Sequence, residues 1–354
     1  AADLMRPQWV FGMRSYATAP DGSVTGVFLD QGAPRIEIIA KGTGKSVRIP
    51  LPETTSRVDD PVPFGSGLAG LVSTAGAPAA IYHIGRDGML KPVGPAPTSD
   101  LAPDLISAGE IVALKRDDGV AVHAIYYPPK SATHEGPKGS APPLLVLAHG
   151  GPTSRANRGL AMRIQYFTSR GFAVCDVDYA GSVGYGRKYQ QRLDGQWGIA
   201  DVADCAAIAK ALAADGRADP ERCAIAGGSA GGYTVLMAMA TTDVFRAGSC
   251  HYGISDMALL LAHTHKFESG YLHRLIGTAP DRWEDVFAAR SPLNLVDGVK
   301  QPIIFFQGLD DKVVPPEQTR VMLEKLTARG IAAEAHEFVG EGHGFRRSDT
   351  IIAL

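Results

Sequence analysis

Charge of one sign is scarce in this chain: 35 Lys and Arg stand against 37 Asp and Glu, a formal net charge of −2. So small a balance builds no field for nucleic acid or an anionic membrane, and no run of like charges marks a tail. Cysteine is scarce as well. Cys175, Cys205, Cys223 and Cys250 lie far apart with no Cys-x-x-Cys spacing, which argues against a zinc ribbon or a dithiol redox motif. Cys175 and Cys223 sit in apolar runs, where a thiol behaves as a small hydrophobe. Four free buried thiols point to a reducing, cytoplasmic compartment. Long apolar runs are missing too: none approaches the roughly 18 residues a membrane span needs, and no secretory signal opens the sequence. The first residue is Ala rather than Met, so processing or truncation upstream is compatible with it.

What is present suits a globular protein. Hydrophobic residues make up 45% of 354, enough for one large domain or two ordinary ones. The two halves read differently. From Trp9 to about Gly94, short apolar-alternating runs (24–29, 35–40, 46–49, 68–73, 80–84 and 90–93) are separated by turns such as Asp30-Gln31-Gly32, Lys41-Gly42-Thr43-Gly44 and Arg86-Asp87-Gly88. Strands at this spacing mean antiparallel β structure. They amount to about two four-stranded units of the size of a propeller blade, whereas a closed propeller needs roughly four to eight. Either the segment packs as a small sheet, or the rest of a ring is missing from this chain. A loop with Pro92, Pro95, Pro97 and Pro103 follows and reads as a domain boundary, dividing the chain into residues 1–104 and 105–354.

Beyond the boundary come a hairpin (111–115 and 120–127) and then alternating strands and helices. The runs 144–148, 172–177, 223–226, 247–251 and 303–306 are apolar without alternation, as strands buried on both faces of a parallel sheet are. Ile199, Val202, Cys205, Ile208 and Leu212 recur at helical spacing, with Gly216 as terminator. A second helix starts near Pro316 and ends at Gly330. The pattern predicts a doubly wound, mostly parallel α/β domain.

The most specific local signal is Gly227-Gly228-Ser229-Ala230-Gly231-Gly232, between a predicted strand and an apolar helix. That context is what a G-x-S-x-G nucleophile elbow of an α/β-hydrolase requires; a Gly-rich phosphate loop or a plain tight turn is the alternative. A serine hydroxyl needs a base. Six histidines follow Ser229, so chain order alone does not choose one. His343, in the glycine-rich loop Gly340-Glu341-Gly342-His343-Gly344-Phe345 after the predicted strand 332–338, can bend back to the serine, whereas His336 lies within the strand. The acid belongs on the loop after strand 303–307, where Asp310 and Asp311 compete and local reasoning leaves the choice open. The oxyanion donors are expected at Ala230 and, in the loop His149-Gly150-Gly151-Pro152, at Gly151. His149 itself is expected to hold that loop.

These segments, with Asp310-Asp311-Lys312-Val313-Val314-Pro315, Asp178-Tyr179-Ala180-Gly181-Ser182 and Trp197-Gly198-Ile199-Ala200-Asp201, resemble the prolyl oligopeptidase family of serine peptidases over about residues 105–350. The likeness is greatest to its acylaminoacyl-peptidase and dipeptidyl-aminopeptidase-like branch. The resemblance implies that Asp311 is the acid. It also implies an α/β-hydrolase domain preceded by a partial, β-propeller-like all-β segment, residues 1–104 being the last blades of an incomplete propeller. The remaining blades would then lie in a missing N-terminal segment, removed or on a separate chain.

The implied activity is hydrolysis of short peptides through an acyl-enzyme on Ser229, with no cofactor and no metal, and with homo-oligomers compatible. Proline-specific members line the pocket with several aromatics, and here only Tyr233 and Tyr252 are candidates. Glu268 is a candidate for holding a substrate amino group, set against a surface ion pair. Two other readings stand beside the peptidase: an esterase using the same elbow, and a non-catalytic fragment or scaffold.

Overall fold

The computed structural model describes residues 2–4, 12–263 and 270–354. In the first part of the chain, β1 (Tyr16–Thr18), β2 (Val24–Asp30), β3 (Ala33–Ile39) and β4 (Ser46–Ile49) form one antiparallel sheet in sequential order. A second contains β5 (Thr55–Phe64), β6 (Gly67–Thr74), β7 (Ala80–Ile84) and β8 (Leu90–Pro92). Alternation gives each sheet one apolar face. Val27, Ile36 and Ile49 of the first meet Val58, Val72 and Ile84 of the second in a shared core.

β1 and β5 were not legible in the sequence. Pro61 and Pro63 make the second run look broken, because proline cannot donate to a ladder. The structure accommodates them with a register shift between Asp59 and Val62, where Asp60 takes a φ of 48°. Such a bulge is a place where a strand tolerates proline.

The second part is built on one eight-stranded sheet. β9 (Glu110–Lys115) and β10 (Ala121–Tyr127) form an antiparallel hairpin at one edge. β11 (Leu144–Ala148), β12 (Ala173–Asp178), β13 (Cys223–Gly228), β14 (Ala247–His251), β15 (Ile303–Gly308) and β16 (Ala333–Phe338) run parallel, and the sheet order is β16-β15-β14-β13-β11-β12-β10-β9. The helices are α1 (Met162–Thr168), α2 (Arg187–Gln190), α3 (Ala200–Ala214), α4 (Ala230–Thr241), α5 (Met257–His263), α6 (Tyr271–Ile276), α7 (Trp283–Arg290), α8 (Glu317–Ala328) and α9 (Ser348–Ala353).

Both sheet faces are packed. Val146 and Ile225 bury with Ile208 of α3, Val235 of α4 and Met322 of α8. Leu145, Val174 and Ala226 bury on the other side with Ile164 of α1. This is the doubly wound α/β arrangement, with the strand order reversing beside β11 and β13. Crevices form at the carboxyl ends of strands where such reversals occur. All four cysteines are free and buried. Among the described residues no helix is long and apolar enough to cross a membrane.

Candidate active site

The elbow sits where β13 turns into α4. Ser229 takes φ 57° and ψ −123°, a strained conformation for a residue with a Cβ. The strain is held by close packing on both sides. A Cβ on Gly227 would lie 2.8 Å from the Ala148 carbonyl oxygen, and one on Gly231 would overlap that same oxygen. Only glycines let strand β11, the elbow and helix α4 approach this closely. The Ser229 N–H donates to the His251 carbonyl at 3.0 Å. The N-terminus of α4 begins at Ala230, directly after the serine, so its dipole favours negative charge there.

Three side chains from three loops converge. His343 Nε2 lies 2.9 Å from Ser229 Oγ, and His343 Nδ1 lies 2.8 Å from Asp311 Oδ2. Of the two competing aspartates, Asp311 is buried and Asp310 is exposed. The other carboxylate oxygen of Asp311 accepts the N–H groups of Val313 at 2.8 Å and Val314 at 2.9 Å. These bonds orient the carboxylate toward the imidazole. The His343 loop is closed by Glu341, whose carboxylate accepts the N–H groups of Arg346 and Arg347. An imidazole bridging a hydroxyl and a buried carboxylate can take up the hydroxyl proton as an attack begins.

The Gly151 and Ala230 backbones both line the cleft beside Ser229, a cavity of about 580 Å³. Ala230 N–H is the first of its helix and has no carbonyl behind it to bond. Gly151 adopts φ +119°, a conformation open to glycine. A Cβ on neighbouring Gly150 would come within 3.2 Å of the Gly228 carbonyl, so this loop passes very close to the elbow. His149 anchors it from behind. Its Nε2 lies 2.7 Å from Ser182 Oγ, its Nδ1 2.9 Å from the Gly150 carbonyl, and its ring stacks on Tyr179 at 4.2 Å. Burial pushes its pKa down to about 4, so the ring is neutral at pH 7.

Tyr252 also lines the cleft, with its ring edge-on to His343 at 4.9 Å. Tyr233 does not. It is fully buried on α4, its ring lies 4.6 Å from Trp197, and its hydroxyl donates to the Arg290 carbonyl at 2.8 Å. It is a packing residue beneath the elbow, which corrects the expectation that it faces substrate. Glu268 lies outside the described residues.

Several cleft residues escaped the sequence reading. Ile254, Leu260, Val313 and Val314 give the cleft apolar walls, and Arg163 and Asp176 line it as well. Asp176 sits in an apolar run, but its register beside Leu147, itself beside Ala226, puts all three on one face. Desolvation, and then the neighbouring Asp178, raise its pKa to about 7. Among the described residues no cluster of His, Cys, Asp and Glu is suited to a metal ion.

The family model for the prolyl oligopeptidase family matches residues 159–354, more than half of the chain. Dipeptidyl aminopeptidase BIII of Pseudoxanthomonas mexicana is 28% identical over 284 residues, 78% of this chain and 41% of that protein. The acylamino-acid-releasing enzyme of Arabidopsis thaliana is 29% identical over 236 residues, 65% of this chain and 30% of that protein. A crystal structure of puromycin hydrolase superposes with a TM-score of 0.93 at 37% identity, over 99% of this chain and 53% of that one. The chain thus spans less than half the length of these two curated relatives and about half of the solved hydrolase. Its fold, its elbow and the matched segment agree: the chain belongs to the prolyl oligopeptidase family.

Proposed function

We propose that this chain carries the catalytic domain of a serine peptidase acting on short peptides. The observation that carries the reading is the Ser229–His343–Asp311 chain of contacts, at 2.9 and 2.8 Å. In this reading His343 takes the Ser229 proton as the hydroxyl attacks the scissile carbonyl. The Gly151 and Ala230 amides hold the oxyanion, Asp311 holds the imidazolium, and His343 then protonates the leaving amine. Water releases the acyl group by the same route.

Ile254, Leu260 and Val313 beside Ser229 favour an apolar residue on the acyl side of the bond. The names of the relatives, an aminopeptidase, an acylamino-acid-releasing enzyme and a puromycin hydrolase, favour amide over ester substrates. They also favour small substrates released near an N-terminus.

Residues 1–104, in this proposal, are the last blades of a propeller and 105–354 the hydrolase domain. The two four-stranded sheets sharing a core support that division, and a propeller over the cleft would keep folded proteins out. The four free thiols suit a cytoplasmic setting.

The test compares hydrolysis of an aminoacyl p-nitroanilide with that of a short-chain p-nitrophenyl ester, in the wild type and in Ser229→Ala. The reading expects anilide cleavage that vanishes in the variant. Ester cleavage without anilide cleavage would favour an esterase, and cleavage that survives Ser229→Ala would remove the serine from the mechanism.

A further inference from the structure

The loop carrying Gly151 is held from outside the catalytic sheet. It is laced to the 181–186 loop: His149 Nε2 meets Ser182 Oγ at 2.7 Å, and the Val183 N–H donates to the Ser154 carbonyl at 3.0 Å. The β-rich part of the chain grips both loops. One carboxylate oxygen of Asp3 accepts the N–H groups of Gly184 at 2.6 Å and Gly186 at 3.1 Å. The turn at Gly32 is wedged between the loops. Its N–H donates to the Gly184 carbonyl at 3.3 Å, and its carbonyl accepts from Arg155 Nη1 at 3.0 Å.

Gly32 has φ +76°, and a Cβ there would fall 2.6 Å from the Tyr185 hydroxyl. That hydroxyl donates to the buried Asp178 at 2.5 Å, and Asp178 also accepts the Ala156 N–H at 2.6 Å. Apart from the packing of Gly32 against Tyr185, these contacts are hydrogen bonds to backbone or to a buried side chain, the kind that fixes geometry.

We infer that Asp3 and the Gly32 turn are positioning elements of the active site, which set the Gly151 amide against Ser229 by holding the 181–186 loop and, through Ser182 and Ser154, the loop 149–155. The inference rests on reading Gly151 as an oxyanion donor. It gives the β-rich part a part in catalysis beyond covering the cleft: if it slips, the oxyanion donor loses its place while the Ser229–His343–Asp311 contacts stay intact.

The experiment uses the full chain with Asp3→Ala, Asp3→Asn, Ser182→Ala and the double variant Asp3→Ala/Ser182→Ala, each checked by a thermal melt. It measures kcat and KM on an aminoacyl p-nitroanilide. It also measures affinity for a peptide boronic acid, whose tetrahedral adduct needs the oxyanion donors, and for the peptide product. Asp3→Ala is expected to lower kcat and boronate affinity together by about tenfold or more, inside the roughly hundredfold that loss of a donor costs. KM and product affinity should move less than about twofold. Asp3→Asn, which keeps an accepting oxygen, should recover most of the loss. The double variant should be no worse than the worse single, because the two residues act in one chain.

A folded Asp3→Ala with unchanged kcat, a change in KM alone, or losses that multiply in the double variant would overturn the inference. Should Asp3→Ala not fold, Ser182→Ala with wild-type kcat overturns it equally. A fluorophosphonate adduct on wild-type Ser229 separates the two failures: without it the site reading falls first, and with it only the positioning role is at stake.

Discussion

At Asp310 and Asp311 two identical side chains one residue apart have different surroundings. Asp311 is buried, takes two backbone N–H groups and meets His343, while Asp310 is exposed. Asp311→Asn should therefore lower kcat by about a thousandfold to ten-thousandfold, since an amide holds the wrong imidazole tautomer. Asp310→Asn should stay within about twofold, as exposed substitutions do. Steady-state rates on one p-nitroanilide check both. Sequence could not make this choice by itself, because a turn has no period to say which of two adjacent residues points inward. Tyr233 is the opposite case: it lies on α4, whose residues from Ala230 to Met239 are all buried, so the helix holds it in the core.

Among the elements, the elbow was the most legible because its glycines answer a steric demand that no other residue meets. Gly231→Ala, whose Cβ would overlap the Ala148 carbonyl, should lower stability by about 1–3 kcal/mol or more, the cost of overpacking against backbone. Gly76→Ala, with no atom within 4 Å of its Cβ, should be neutral or slightly stabilising. Urea midpoints of the two variants make the comparison. The central parallel strands were equally readable as largely apolar runs. β5 was not, because its prolines sit at a bulge that only the partner strand β6 reveals. Asp176 was hidden for the related reason that the face of a doubly buried strand is set by its neighbours' register and not by its own pattern.

For the whole molecule, buried ionisable groups shape the dependence of stability on pH. Burial raises the pKa of Asp201 to about 6 although Thr234 and Gly198 donate to it, and burial raises that of Asp178 to about 6 as well. A carboxyl whose pKa is higher in the folded than in the unfolded state stabilises most below its unfolded value, near 4, and that contribution is lost as pH rises toward 6. His149 and His251, pushed down by burial to about 4 and about 3, act oppositely: their stability is present above about 6.5 and lost as pH falls toward those values.

The Asp201 contribution can be isolated with Asp201→Asn, whose amide oxygen can keep the Gly198 N–H bond while its NH2 donates to the Thr234 hydroxyl oxygen. Its stability relative to wild type should rise with pH between about 4 and 6, at no more than about 1.4 kcal/mol per pH unit. Urea melts across that range would contradict the account if the difference stayed flat or fell.

The central claim is that Ser229 is a nucleophile made reactive by His343. Intact-mass spectrometry after treatment with a fluorophosphonate, with the adduct mapped by peptide sequencing, tests it most directly. The account predicts one adduct per chain, on Ser229, formed far more slowly in His343→Ala and absent in Ser229→Ala. An adduct on another residue, or equal labelling rates with and without His343, would contradict it.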